Sequence, residues 1–207
     1  MIEGHDICEI RLPTGLRSFR NGKPPKLWCL GETAILNRRL LGVISARQID
    51  SDLALKSSQL LKQLESLKEV AFIGGWHSPL EAEALRILLA QAAPIVFCIP
   101  KSLSRFVPSI EVENRVSKAQ GLLLTHCSPK AKRISRDASL RRNQLVVGLS
   151  GALLVLSAPE GSASLKLARS ALRQGKPVVT LGHRMNKELL ASGALPAVME
   201  NIQTALQ

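Results

Sequence analysis

Residues 139–181 read SLRRNQLVVGLSGALLVLSAPEGSASLKLARSALRQGKPVVTL. A polar turn carrying Arg141, Arg142, Asn143 and Gln144 opens a helix, and the run 151–157 follows as an apolar strand. A loop of small residues, a second helix and a second apolar run at 177–181 give the order helix, strand, loop, helix, strand. Both arginines fall at the expected front of the first helix, where the macrodipole is already positive. Each cation added there costs about 0.3–1 kcal/mol. That placement predicts a negatively charged visitor.

The same alternation extends upstream. LLGVIS (40–45), VAFIGG (70–75), PIVFCIP (94–100) and GLLLTHC (121–127) are short continuous apolar runs, the signature of strands buried on both faces. Between them lie helical segments at about 50–68, with Asp50 as N-cap, at 79–92 with Pro79 in the first turn, and at 110–120, ending at Gly121. NKELLAS, ALPAV and MENIQTAL add a short helix, an extended piece and a terminal helix. Parallel strands need crossover connections, so the expected class is α/β, a Rossmann-like doubly wound, mainly parallel sheet with helices on both faces. Residues 1–26 hold Pro13, Gly15, Gly22, Pro24 and Pro25 and read as an irregular lead-in, with LWCLGE behind it as an edge strand and residues 27–207 as one domain.

Hydrophobic residues make up 45 % of the 207, enough for a core. No apolar run approaches the roughly 18–20 residues of a membrane helix, and MIEGHDICEIRLP lacks the pattern of a secretory signal. Four widely spaced cysteines without a CxxC pair argue against zinc and disulfides and for a cytoplasmic protein. The net charge is +12, and the excess is concentrated in 11–26, 38–47 and 130–142. Clustered basic loops favour a polyanion partner over a uniformly solvated surface. With no Tyr and 3 % aromatics, phosphate contacts rather than base-stacking platforms would dominate.

In a doubly wound sheet, ligands bind outside the carboxyl ends of the strands. The expected loops are 45–47, 74–77, 101–105, 127–137, 158–162 and 182–186. Ser45 and Arg47 offer a hydroxyl and a planar fork suited to phosphate, or Arg47 pairs with Asp50 or Asp52. Gly74 and Gly75 allow close backbone approach. His77 beside Trp76 is a proton carrier, a stacking surface or an ordinary loop residue. Glu160, Gly161 and Ser162 precede a helix whose amides could hold an anion. No GxGxxG, GxxxxGK[ST] or GxSxG motif and no metal-ligand spacing occurs, so catalytic, cofactor and metal sites are not expected.

These residues carry a resemblance. RLPTGLRSFRNGKPPKLWCLGE (11–32), ISARQ (44–48), RFVPSIEVENRVSKAQGLLLT (105–125), 140–182 and NKELLASGALPAV (186–198) together resemble the Rossmann-like domain of the DNA processing protein A (DprA/Smf) family. The resemblance implies a bacterial cytoplasmic protein that binds single-stranded DNA as a homodimer. It also implies delivery of RecA recombinase onto that strand in recombination or transformation. Arg47 matches the family's phosphate-contacting arginine, and Arg142 and Asn143 its Arg-Asn pair. Lys101 and Arg105 lie near its basic pocket segment. The sequence departs from the family at Gly74–Pro79, which replaces its glycine-rich loop. It departs again at Gln144, Ser157 and the inverted pair Gly161-Ser162.

The expected site is therefore Ser45, Arg47, Gly74, Gly75, Lys101, Arg105, Arg141, Arg142, Asn143, Gly161 and Ser162. Phosphates would sit against Arg47, Arg142 and the helix start, with bases turned toward Gly74–Trp76. Two other readings remain open. One is a sensor or defence module for a nucleotide-derived signal. The other is an enzyme like the phosphoribohydrolases, whose glycine-rich catalytic loop would correspond to APEGSAS (158–164).

Overall fold

The computed structural model describes residues 6–11, 26–131 and 136–207. Its strands form one nine-stranded sheet in the order β1-β2-β6-β5-β4-β3-β7-β8-β9. The strands are β1 (Cys8–Arg11), β2 (Lys26–Gly31), β3 (Arg39–Ile44), β4 (Val70–Gly74), β5 (Ile95–Cys98), β6 (Gly121–Thr125), β7 (Ala152–Val155), β8 (Val178–Thr180) and β9 (Leu195–Pro196). The seven from β3 to β9 run parallel, while β2 pairs antiparallel with both β6 and β1. The expected doubly wound α/β class is the observed one. The helices are α1 (Ser51–Gln63), α2 (Pro79–Ala90), α3 (Ile110–Ser117), α4 (Arg136–Leu149), α5 (Ala163–Arg173), α6 (Lys187–Ala191) and α7 (Met199–Ala205).

Strand residues alternate between two cores, as the period of 2 requires. Leu41, Val43, Phe72, Phe97 and Leu154 pack with α1, α2, α3 and α7 on one face. Leu40, Ile44, Ile73, Cys98 and Leu153 pack with α4, α5 and α6 on the other. Gly42 lies at the centre, paired with Ile73 and Leu153, and a Cβ there would collide with Ser150 Oγ and the Leu153 side chain. The missing side chain lets the end of α4 close onto β3.

Several local expectations change. Residues 8–11, inside the stretch read as irregular, form a strand, and the strand at 26–31 is internal to the sheet rather than its edge. Helix α3 ends at Ser117, and Ala119 takes the left-handed backbone conformation at φ 55°. Gly121 instead opens β6, where a Cβ would press on Val116 N and Arg115. Helix α4 begins at Arg136, so Arg141 and Arg142 stand in its second turn. The orphan amides of a helix belong to its first four residues, so the arginines do not oppose the dipole. Residues 12–25 and 132–135, with much of two basic clusters, lie outside the described residues.

All four cysteines are free, and burial pushes the Cys98 thiol up to about 12. Among the described residues no helix is long and apolar enough to cross a membrane. No group of three or more His, Cys, Asp and Glu among them is placed to hold a metal ion.

Candidate nucleic-acid interface

The chain winds outward from β3 through β4 and β5 to β6, returns along α4, and winds the other way through β7, β8 and β9. The switch point therefore lies between β3 and β7. Outside their carboxyl ends opens a crevice of about 850 Å³. Its walls include Ser45, Arg47, His77, Glu81, Arg142, Asn143, Glu160, Gly161 and Ser162.

The two walls at the switch point are clipped together. Ala46 N donates to Ser157 O at 2.8 Å, and Ser157 Oγ donates to Gln48 O at 2.7 Å. Ser164 Oγ also donates to Ser157 O at 2.9 Å. A serine at this strand end can hold both loops, which a carboxylate lacking a proton could not do as donor. Behind them Asn186, fully buried, accepts from Ala158 N at 2.8 Å and donates to Leu156 O and Leu181 O at 3.1 Å each. Ser162 caps α5 by accepting from Leu165 N at 3.1 Å, and Gly161 supplies the left-handed turn at φ 75°.

Glu81 joins the remaining loops. Its Oε1 accepts from Ser45 N at 2.9 Å, and its Oε2 accepts from His77 N at 2.9 Å and Ser78 N at 3.4 Å. Ser78 Oγ reciprocates by accepting from Glu81 N at 3.3 Å, which completes a capping box at the start of α2. One carboxylate thus fixes the loops after β3 and β4. Sequence reading placed Glu81 only within a helix. Its signal was the Ser-x-x-Glu spacing directly after a strand, at the ligand edge.

Glu81 and Arg142 are the only charged residues buried among the described ones, at 8 % and 7 % exposure. Glu81 is hydrogen-bonded; Arg142 Nε and Nη1 have no partner among the described residues. Burial pulls the guanidinium below its ordinary pKa, while the Glu81 charge works the other way. An arginine stays charged in proteins, so a buried, charged fork with two free donors stands at the crevice. Guanidinium donors of this kind suit the oxygens of an anion.

Gly75 explains how the fork reaches this position, because a Cβ there would overlap the guanidinium itself. The glycine admits Arg142 rather than a ligand. Gly74 lies beneath the Trp76 ring. Trp76 is 9 % exposed, donates Nε1–H to Val96 O at 3.2 Å and meets Phe97 edge-on at 6.5 Å. Its φ of 57° is rare for a bulky side chain and turns the indole into the core. The expectation that bases turn toward Gly74–Trp76 is therefore corrected, since the space is filled by the protein's own tryptophan.

Of the other expected residues, Arg47 is exposed on the wall, and Asn143 stands one residue past Arg142. Asp50 is held by Arg184 at 2.9 Å and His183 at 3.3 Å, and Asp52 by Lys56 at 2.8 Å, so neither pairs with Arg47. Lys101 lies 5.2 Å from the centre of the Phe106 ring, outside the crevice walls, as does Arg105. Arg141 faces away and pairs with Asp137 at 3.0 Å.

The fold and site define a doubly wound α/β protein whose switch-point crevice carries a buried arginine with two donors free among the described residues. The chain belongs to the DNA recombination-mediator protein A family, whose model matches residues 7–204. Among solved structures it is similar to DNA processing protein A of Streptococcus pneumoniae, at 18 % identity and TM-score 0.79, covering 100 % of this chain and 76 % of that one. It is similar to DNA processing protein A of Helicobacter pylori, described with a single-stranded DNA binding mode, at 22 % identity and TM-score 0.76, covering 98 % and 94 %. It also shares the fold of the molybdenum cofactor binding protein of Rippkaea orientalis, at 15 % identity and TM-score 0.58, covering 82 % and 98 %. No curated protein sequence matches the chain.

Proposed function

We propose that the protein binds single-stranded DNA without chemistry of its own, and that it acts as a recombination mediator. A backbone phosphate would sit on Arg142 Nε and Nη1, with Arg47, Asn143 and the α5 start around it. The observation that carries this reading is the buried Arg142 fork with two free donors in the switch-point crevice. Family membership and the Helicobacter pylori relative's described binding mode support the choice of ligand. Clustered positive charge would supply the long-range attraction. Assembly as a homodimer and delivery of RecA recombinase are the further parts of the proposal, resting on the family alone.

Fluorescence anisotropy with single- and double-stranded oligonucleotides tests it, run at about 50 and 200 mM salt. The expected log–log salt slope is about −0.7 per phosphate neutralised on a single strand. Arg142→Ala removes a charge-assisted contact worth about 1.5–3 kcal/mol, a loss of roughly 10–100-fold in affinity. Salt-indifferent binding, or an unchanged Kd for the variant, would overturn the reading.

A further inference from the structure

His77, in the loop after β4, lines the switch-point crevice together with Arg142 and Arg47. Arg142 from α4, Arg47 from the β3–α1 loop and Lys101 from the loop after β5 all act on its imidazole as repelling charges. The acids on the crevice wall do not offset them at short range. Glu81 of α2 directs its oxygens to the backbone amides of Ser45, His77 and Ser78, and Glu160 belongs to the turn before α5. No ion pair to the His77 ring occurs among the described residues, and the residue is exposed to solvent. Partial burial first, and then the three cations, hold the imidazole below its ordinary pKa. The crevice's own groups thus keep His77 neutral at neutral pH.

An anion bound at Arg142 changes that balance. Its charge cancels the field of the same three cations that disfavour protonation, so the bound state favours an imidazolium that the empty state rejects. We propose that His77 is a further contact of the bound phosphate, and that it takes one proton from solvent as the anion arrives, so the crevice binds more tightly in acid. This rests on the proposed anion-binding reading of the crevice and adds a residue to it. Phosphodiesters and thymine do not titrate near neutrality, so with oligothymidylate any proton taken up belongs to the protein.

Two experiments separate this inference from the reading beneath it. In the first, the affinity for oligothymidylate is measured from about pH 8 to about pH 5.5 at fixed salt, for the wild type and for His77→Asn. Asparagine keeps the backbone N–H that Glu81 accepts, so the loop retains its clip. The wild type should gain about three- to tenfold in affinity on acidification, with a limiting slope of one decade per pH unit. Its salt slope should steepen by about 0.7, the increment for one more cation meeting phosphate. His77→Asn should remove both changes, whatever its affinity at the alkaline end. A wild-type affinity independent of pH, or an equal acid gain in His77→Asn, overturns the inference and leaves DNA binding standing.

The second experiment uses sodium sulfate against sodium chloride at matched ionic strength, with the His77 imidazole followed by NMR. Sulfate should raise the His77 pKa in the wild type and not in Arg142→Ala. An unmoved pKa overturns the inference even if oligonucleotides do not bind. The other histidines are distinguishable. His126 is held down to about 4, and His183 lies between Asp50 and Asp52 outside the crevice. His5 lies outside the described residues and is cancelled by the His77→Asn comparison.

Discussion

At the scale of single residues, the site is a matter of who leaves room for whom. Arg142 reaches the crevice because position 75 has no side chain, and an added Cβ would meet only the far end of a flexible arginine. Gly75→Ala should therefore leave the denaturant midpoint nearly unchanged, within about 1 kcal/mol of stability. The guanidinium should be pushed off its seat, with a loss in oligonucleotide affinity comparable to Arg142→Ala. Equal binding with an intact fold would show that the fork does not need that position. Arg142 was legible in the sequence, but through the wrong argument, since its helix begins at Arg136 and not beside it. What separates Arg142 from Arg141 is helical phase. Ala138, Arg142, Leu145 and Val146 share the buried side, while Arg141 is exposed and pairs with Asp137. A pair of adjacent arginines carries no phase by itself. Trp76 was illegible for a related reason, since its partner lies 20 residues away in sequence, and the Ser-x-x-Glu spacing marks Glu81 as a cap without showing its hold on Ser45, 36 residues away.

At the scale of elements, the capping box at the start of α2 does two jobs with one carboxylate. A lone N-cap serine contributes about 1 kcal/mol, and Ser78→Ala should cost about that much by urea denaturation. Glu81→Ala should cost more, about 2–4 kcal/mol, because the buried amide of Ser78 and the part-buried amides of Ser45 and His77 lose their acceptor together. It should also loosen the loop bearing Arg47, so affinity for oligonucleotide falls in parallel. If Glu81→Ala costs no more than Ser78→Ala, the carboxylate is only a cap. Central strands were readable because they are buried on both faces: β4, β5, β6 and β7 lie within their apolar runs, and β3 begins one residue before its own, at the exposed Arg39. β1 was not, for CEIR has two charged residues in four and exists by pairing with β2. The same holds at the end of α3. Ala119 carries the left-handed turn and Gly121 is required by the strand, and only packing against Val116 distinguishes them.

At the scale of the whole molecule, a chain of net charge +12 already favours expansion in acid through self-repulsion, and two histidines add to that tendency. His126, half-buried after β6, has its Nδ1 buried without a partner. Burial first, then Arg141, bring its pKa from 6.5 to about 4, with Asp137 opposing. His77 is lowered as well, by burial and its three cations. For both, the folded state holds the neutral ring while the unfolded state binds a proton below its ordinary value. Stability therefore rises with pH in that interval, being fully present above about 6.5 and lost as pH falls toward 4. His126 alone accounts for at most about 3 kcal/mol over the window, at 1.36 kcal/mol per pH unit. The carboxylates Asp50, Glu83 and Glu111 are lowered, chiefly by hydrogen bonds, so their contribution disappears only in stronger acid. Urea unfolding at about pH 7.5 and about pH 5.5 isolates the histidines from the carboxylates. The midpoint should fall markedly between the two, and His126→Gln should recover much of the difference because glutamine does not titrate. Saturating sulfate should recover more in the wild type, by stabilising the protonated His77, than in Arg142→Ala, where only the salt's general stabilisation remains. A midpoint that is flat across this interval would mean that the half-buried imidazole is solvated well enough to charge in place.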